Sequence, residues 1–154
     1  MPKITKPLSE LQQYIGHEFE PSAWFEVEQA RINTFADCTE DHQYIHVDPE
    51  RAAATPLGGT IAHGFLVLSL LSALCEDNTV VPEDATMGLN YGLNRVRFLY
   101  PVRAGKRIRA RVKIADIDDK QPGRIVVAHT VTTEIEGEAK PALVAYWLIA
   151  WMRS

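Results

Sequence analysis

The chain has 154 residues, of which 46% are hydrophobic and 23% charged, with a formal net charge of -4. That length can bury one good core but is too short for two ordinary domains, so a single domain over residues 1–154 is expected. No stretch joins a basic start, an apolar core and a small-residue cleavage site, and the longest nearly apolar run, residues 62–75, is too short to span a bilayer. These features predict a soluble, cytoplasmic protein with no membrane partner.

Charge is spread unevenly: residues 1–77 hold 12 acids and 4 bases, whereas residues 78–154 hold 8 acids and 12 bases. Eight of those bases fall in residues 95–113 with no acid among them. A negative total, and the lack of aromatic residues interleaved with these bases on one face, argue against a nucleic-acid partner. Cys38 and Cys75 are far apart with no CxxC or metal-finger spacing, and both read as buried free thiols.

In chain order, residues 7–16 read as a short helix, since Leu8, Leu11 and Ile15 share one face and Gly16 suits a left-handed stop. Residues 24–27 form a brief strand. Residues 28–38 follow as a helix with Ile32, Phe35 and Ala36 at helical spacing. Asp48 as N-cap and Pro49 in the first turn open a further helix that residues 56–59 end. Residues 62–75 are apolar on nearly every side, so this helix must be enclosed.

Four strand-like stretches, roughly 86–100, 106–118, 124–136 and 142–152, can enclose it. In the second, Ile108, Ala110, Val112 and Ile114 alternate with Arg107, Arg109, Arg111 and Lys113, which is period two with one wet face. The last is apolar on both faces, and the chain has no further helix to cover the second face. A homodimer that pairs sheets is the simplest cover. Helices followed by an antiparallel sheet make the class α+β.

Chemistry concentrates between the second and third helices, where Asp41 and His46 lie in an irregular segment with no core periodicity. A carboxylate and an imidazole sharing one water make an acid/base pair near neutral pH. The motif Asp41-His42-Gln43-Tyr44-Ile45-His46, followed by Ala62-His63-Gly64 at the start of the apolar helix, resembles that of the MaoC-like hydratases. These are (R)-specific enoyl-CoA hydratases of hot-dog fold, with the signature Asp-x-Asn-Pro-(Leu/Ile/Val)-His, from which Gln43 and Tyr44 depart. The Asp-His-Gln-(Trp/Tyr)-Ile-His-Val-Asp form is similar to the nodulation-protein-N-like branch. Residues 91–98 with Pro101 and Val102 fit that branch too.

The resemblance implies an antiparallel sheet wrapped around a central helix, and hydration of trans-2-enoyl thioesters carried by coenzyme A or acyl carrier protein. It implies Asp41 and His46 as the catalytic pair and the Gly64 backbone N–H as holder of the thioester oxygen. It calls for no cofactor. Gln43, Tyr44 and His63 are candidates for substrate contact, His63 by lining the helix start. Arg95, Arg97 and Arg103 are candidates for the coenzyme A phosphates, against a plain solvated strand face. The histidines share no established ligand spacing with a third partner, so no metal site is expected. His129, on the apolar face of Ile125, Val127 and Val131, reads as a satisfied core histidine. Two other readings stay open: an acyl-CoA thioesterase, and a non-catalytic acyl-thioester-binding protein whose site Gln43 and Tyr44 have altered.

Overall fold

The alternation in the basic stretch is realised in full: Ile108, Ala110, Val112 and Ile114 are at most 1% exposed, while the intervening cationic residues face outward. This strand and its neighbours were seen in a computed structural model, which describes residues 3–154. In chain order the elements are β1 (Ile4–Lys6), α1 (Leu8–Leu11), β2 (Phe25–Glu26), α2 (Gln29–Thr39), α3 (Tyr44–Val47), α4 (Pro49–Ala53), α5 (Gly64–Ser69) and α6 (Leu71–Leu74). Then come β3 (Val80–Pro82), β4 (Ala85–Phe98), β5 (Arg107–Asp118), β6 (Arg124–Ile135) and β7 (Leu143–Arg153). Five strands form one antiparallel sheet in the order β2-β5-β6-β7-β4. A short parallel pair, β1 with β3, was not foreseen from sequence.

The α5–α6 segment packs against this sheet. Leu66, Val67, Leu70, Leu71 and Leu74 join Ala110, Val112, Val131, Ile135, Leu143, Ala145 and Trp147 in the main core cluster. Burying each of these larger side chains contributes about 1.5–3 kcal/mol, which is what fixes the helix on the sheet. A smaller cluster of Leu11, Val80, Ile114, Ile117, Ile125 and Val127 lies beneath α1 and β3. The antiparallel sheet with a helix packed against it is the α+β arrangement expected.

Several details depart from the sequence reading. The expected continuous helix over residues 62–75 is divided at Leu70, where the Ser69 hydroxyl donates back to the Phe65 carbonyl at 2.7 Å. Nor is it enclosed all round, since Phe65 is 70% exposed. The helix of residues 7–16 is only one turn of α-helix extended by a 3-10 turn, and Ile15 stays exposed. The helix opened by Asp48, whose side chain accepts from the Arg51 N–H, stops at Ala53 rather than at residues 56–59. Cys75 is buried and its thiol is pushed up to about 12 by burial, but Cys38 is exposed. Residues 44–47 form a helix, so His46 is a helical residue and 6% exposed, not a loop side chain. No helix among the described residues is long and apolar enough to cross a membrane.

His129 is the satisfied core histidine expected. It is 1% exposed, donates from Nδ1 to the Trp147 carbonyl at 3.3 Å, and accepts from the Thr79 hydroxyl at 2.8 Å. Burial pushes its pKa down to about 4 from an ordinary 6.5, with the Trp147 hydrogen bond opposing. The unfolded chain therefore binds a proton between these values that the folded chain refuses, so stability falls as pH drops from 6.5 towards 4. The expected size is on the order of 3 kcal/mol over that window. Urea melts of the parent and of His129→Gln across this range check it: the variant loses that part of the pH slope, whatever its absolute stability.

Candidate active site

The site is built where α2, α3 and the segment leading into α5 meet. Helix α2 ends on Glu40, which is in the left-handed region at φ 61° and turns the chain so that Asp41 leaves the helix axis. Asp41 remains half exposed. Three residues later α3 begins and carries His46 into the interior. The His46 Nδ1–H donates to the Ile61 carbonyl at 2.7 Å, which fixes the tautomer and leaves the Nε2 lone pair unspent. Burial pushes the His46 pKa below its ordinary 6.5; the Ile61 bond opposes this, the neighbouring His63 adds to it, and Asp41 opposes it.

A closed set of hydrogen bonds holds that ring in place. The Ile61 N–H donates to the Ile45 carbonyl at 2.9 Å, and the Gln29 amide donates to the His46 carbonyl at 2.7 Å. The Gln29 carbonyl oxygen accepts from the Thr60 hydroxyl. One side chain on α2 thus ties the His46 backbone to the segment that supplies the acceptor for the His46 ring. Gln29, Thr60 and Ile61 were not found by sequence reasoning. A Gln in the first turn of a helix carries no signal that it will reach a carbonyl 17 residues away.

Asp41, His46 and His63 present side-chain ligand atoms all within 4.8 Å of one another. A cation could be held there by distance alone. However, each ring already commits one nitrogen to a carbonyl, His46 to that of Ile61 and His63 to that of Asp41 at 2.9 Å. Gly64 follows directly and starts α5. A β-carbon at this position would sit 3.0 Å from the Phe98 ring, so the glycine lets that aromatic lie flush against the helix start. A cleft of about 230 Å³ opens there, lined in part by Ile61, Gly64, Phe98, Tyr100 and Ala142.

The remaining candidates are placed as follows. Gln43 is exposed at the N-cap of α3. The Tyr44 ring lies under the Arg51 guanidinium at 4.2 Å. Arg95 and Arg97 are exposed on β4, and Arg103 is exposed in the loop before β5, where its backbone bridges Ile61 and its guanidinium lies against Gly58. Three arginines of the basic run are paired across strands: Arg107 with Glu136, and Arg109 and Arg111 with a shared Glu134 at 2.6 and 2.5 Å. Among the described residues, Arg95, Arg97 and Arg103 form no ion pair with a carboxylate.

Residues 10–137 match the MaoC like domain. The chain belongs to the MaoC-like dehydratase family, and its hot-dog fold is that of the family. Within it, the chain is 49% identical to Nodulation protein N of Rhizobium meliloti over 92% of this chain and 88% of that protein. It is 43% identical to 3-hydroxyacyl-thioester dehydratase Z of Mycobacterium tuberculosis over 94% of this chain and 95% of that protein. Among solved structures, the monoamine oxidase regulatory protein of Archaeoglobus superposes with a TM-score of 0.78 at 26% identity, covering 100% of this chain and 99% of that one.

The Gln29 clamp has a measurable worth. Gln29→Leu keeps the volume but strands the His46 carbonyl and the Thr60 hydroxyl, so it should cost about 1–3 kcal/mol in urea unfolding. It should also loosen His46, read as faster exchange of the Ile61 amide proton.

Proposed function

We propose that the chain is an (R)-specific hydro-lyase that adds water reversibly to trans-2-enoyl thioesters of coenzyme A or acyl carrier protein. The observation that carries this reading is the His46 Nδ1–H bond to Ile61 at 2.7 Å, because it holds a neutral imidazole with its basic nitrogen unspent beside the Asp41 carboxylate. Nodulation protein N carries no chemical activity in its name, whereas the second relative is named as a dehydratase of 3-hydroxyacyl thioesters, the reverse of the same reaction.

In this mechanism the water oxygen bonds to C3 as its proton passes to His46 Nε2. The electrons of the C2–C3 double bond move onto the thioester oxygen, which the Gly64 N–H receives. Asp41 accepts the water's other hydrogen bond and steadies the imidazolium. The enolate then takes the proton from His46 at C2, so a single water supplies both the hydroxyl and the new C–H. A pocket of about 420 Å³ between α5–α6 and the sheet, lined by Leu68, Leu71, Leu93 and Trp147 together with Ser69, Ser72 and Asn90, suits an acyl chain. Arg95, Arg97 and Arg103, free of carboxylate partners among the described residues, suit the nucleotide phosphates.

The decisive assay follows enoyl absorbance and free thiol together on short and medium trans-2-enoyl-CoAs. Absorbance should fall with no thiol released, giving the R-3-hydroxyacyl product; thiol release at a comparable rate would make the protein a thioesterase. Asp41→Asn and His46→Gln, checked for folding by thermal melting, should each lower turnover roughly 10²-fold. Because the base must be neutral and burial pulls its pKa below 6.5, kcat/KM for hydration should be flat above neutrality and decline as pH falls through a value under 6.5.

The active unit we propose is a homodimer joined along β4. Among the described residues this strand is the outer member of the sheet, paired only with β7, and it leaves Met87, Leu89, Tyr91, Leu93 and Phe98 each 42% exposed or more. A long apolar edge with unpaired backbone groups invites another strand, and a second copy of β4 supplies one of matching length. Sedimentation at micromolar concentration should report a dimer, and Leu89→Lys with Leu93→Lys should shift it to monomer. A parent protein that sediments only as monomer removes this part.

A further inference from the structure

His63 occupies the N-cap of α5 and is 2% exposed, yet it makes no side-chain cap bond to the helix it begins. An N-cap side chain ordinarily serves the first-turn N–H groups. Here the ring is turned the other way. Its Nε2–H donates to the main-chain carbonyl of Asp41 at 2.9 Å, across 22 residues of chain. Its face lies on the face of His46, with centroids 3.8 Å apart and planes 23° from parallel. Phe35 of α2 closes against the ring at 4.9 Å. One imidazole therefore touches the backbone of the carboxylate residue and the ring plane of the histidine.

A residue that only filled space would not need to be histidine. Its Nδ1 is buried with no hydrogen-bond partner, a cost that phenylalanine in the same stack would avoid. What histidine supplies and phenylalanine lacks is the donor to the Asp41 carbonyl and a second titratable ring against His46. Asp41 and His63 are the charged or titratable groups that act on His46, while Asp37 and His42 pair with each other at the surface. Two imidazolium rings at this spacing repel, so His63 helps keep His46 unprotonated.

We propose that His63 is the positioning residue of the Asp41–His46 pair, setting the Asp41 backbone and the His46 ring plane relative to each other from behind the site. The kinetic part rests on the hydro-lyase reading above; the spectroscopic part does not.

The test begins with the parent protein. Nitrogen-15 spectra of the imidazoles should show His46 protonated at Nδ1 and His63 at Nε2; the opposite tautomers would overturn the proposal. His63→Phe keeps the stack but removes the donor and the second imidazole. It should lower kcat by roughly tenfold or more with KM changed less than about threefold, since misaligned groups lose transition-state contacts first. The His46 titration should move upward. His63→Gln, whose amide can reach the same carbonyl, should recover part of the turnover, and it stands in should His63→Phe fail to fold. Variants with kcat within about twofold of the parent and an unmoved His46 titration would return His63 to a packing role. If the parent lacks hydratase activity, the mechanism falls, while the tautomers and the titration still decide this inference.

Discussion

Burial of the α5–α6 face in the sheet is the constraint on which the site depends. Leu66, Val67, Leu70, Leu71 and Leu74 hold the helix against β5, β6 and β7, and so fix where its first residue, Gly64, must stand. Residues 60–63 enter that helix in extended form, held by Ala62 N–H to Val102 at 2.7 Å and by the bridge between Ile61 and Arg103. From there the Ile61 carbonyl reaches His46 and the His63 ring reaches Asp41. The candidate groups sit on loops and short helices, but the position of each is inherited from the apolar core.

The four long strands were legible because their alternation is strong and turn residues bound them; their ends were read to within two residues of the observed 85–98, 107–118, 124–135 and 143–153. The motif singled out Asp41, His46 and Gly64 as candidates, and the fold brings Asp41 and His46 side by side. What stayed hidden was everything carried by contact at long sequence separation. The Gln29 bridge to His46 and Thr60, the stack of His63 on His46, and the seat of Phe98 over Gly64 have no periodicity, and each exists only once the fold brings distant segments together. Short elements were also missed: α3 has four residues and β1 three, too few to show a repeat.

Electrostatics divides the basic run in two. On β5 the arginines meet Glu134 of β6 and Glu136 just beyond its end, and Arg109 also lies over the Trp24 ring at 4.5 Å, so those three guanidiniums are tied into a solvated strand face. On β4 and in the loop after it the arginines have no such partners among the described residues. Linear sequence sees eight like charges. The sheet register sorts them by what stands opposite.

Phe98 against Gly64 couples two positions 34 residues apart. Because the ring would meet a β-carbon at 3.0 Å and would have to shift to admit it, shape favours glycine here before its N–H is asked to do anything. The constraint runs in both directions: a lineage that reduced Phe98 to a small residue would free position 64 to drift to alanine with its backbone donor intact. Change at the two sites should therefore be paired over evolutionary time, and a glycine kept at this helix start would record its neighbour's bulk as well as any need of its N–H.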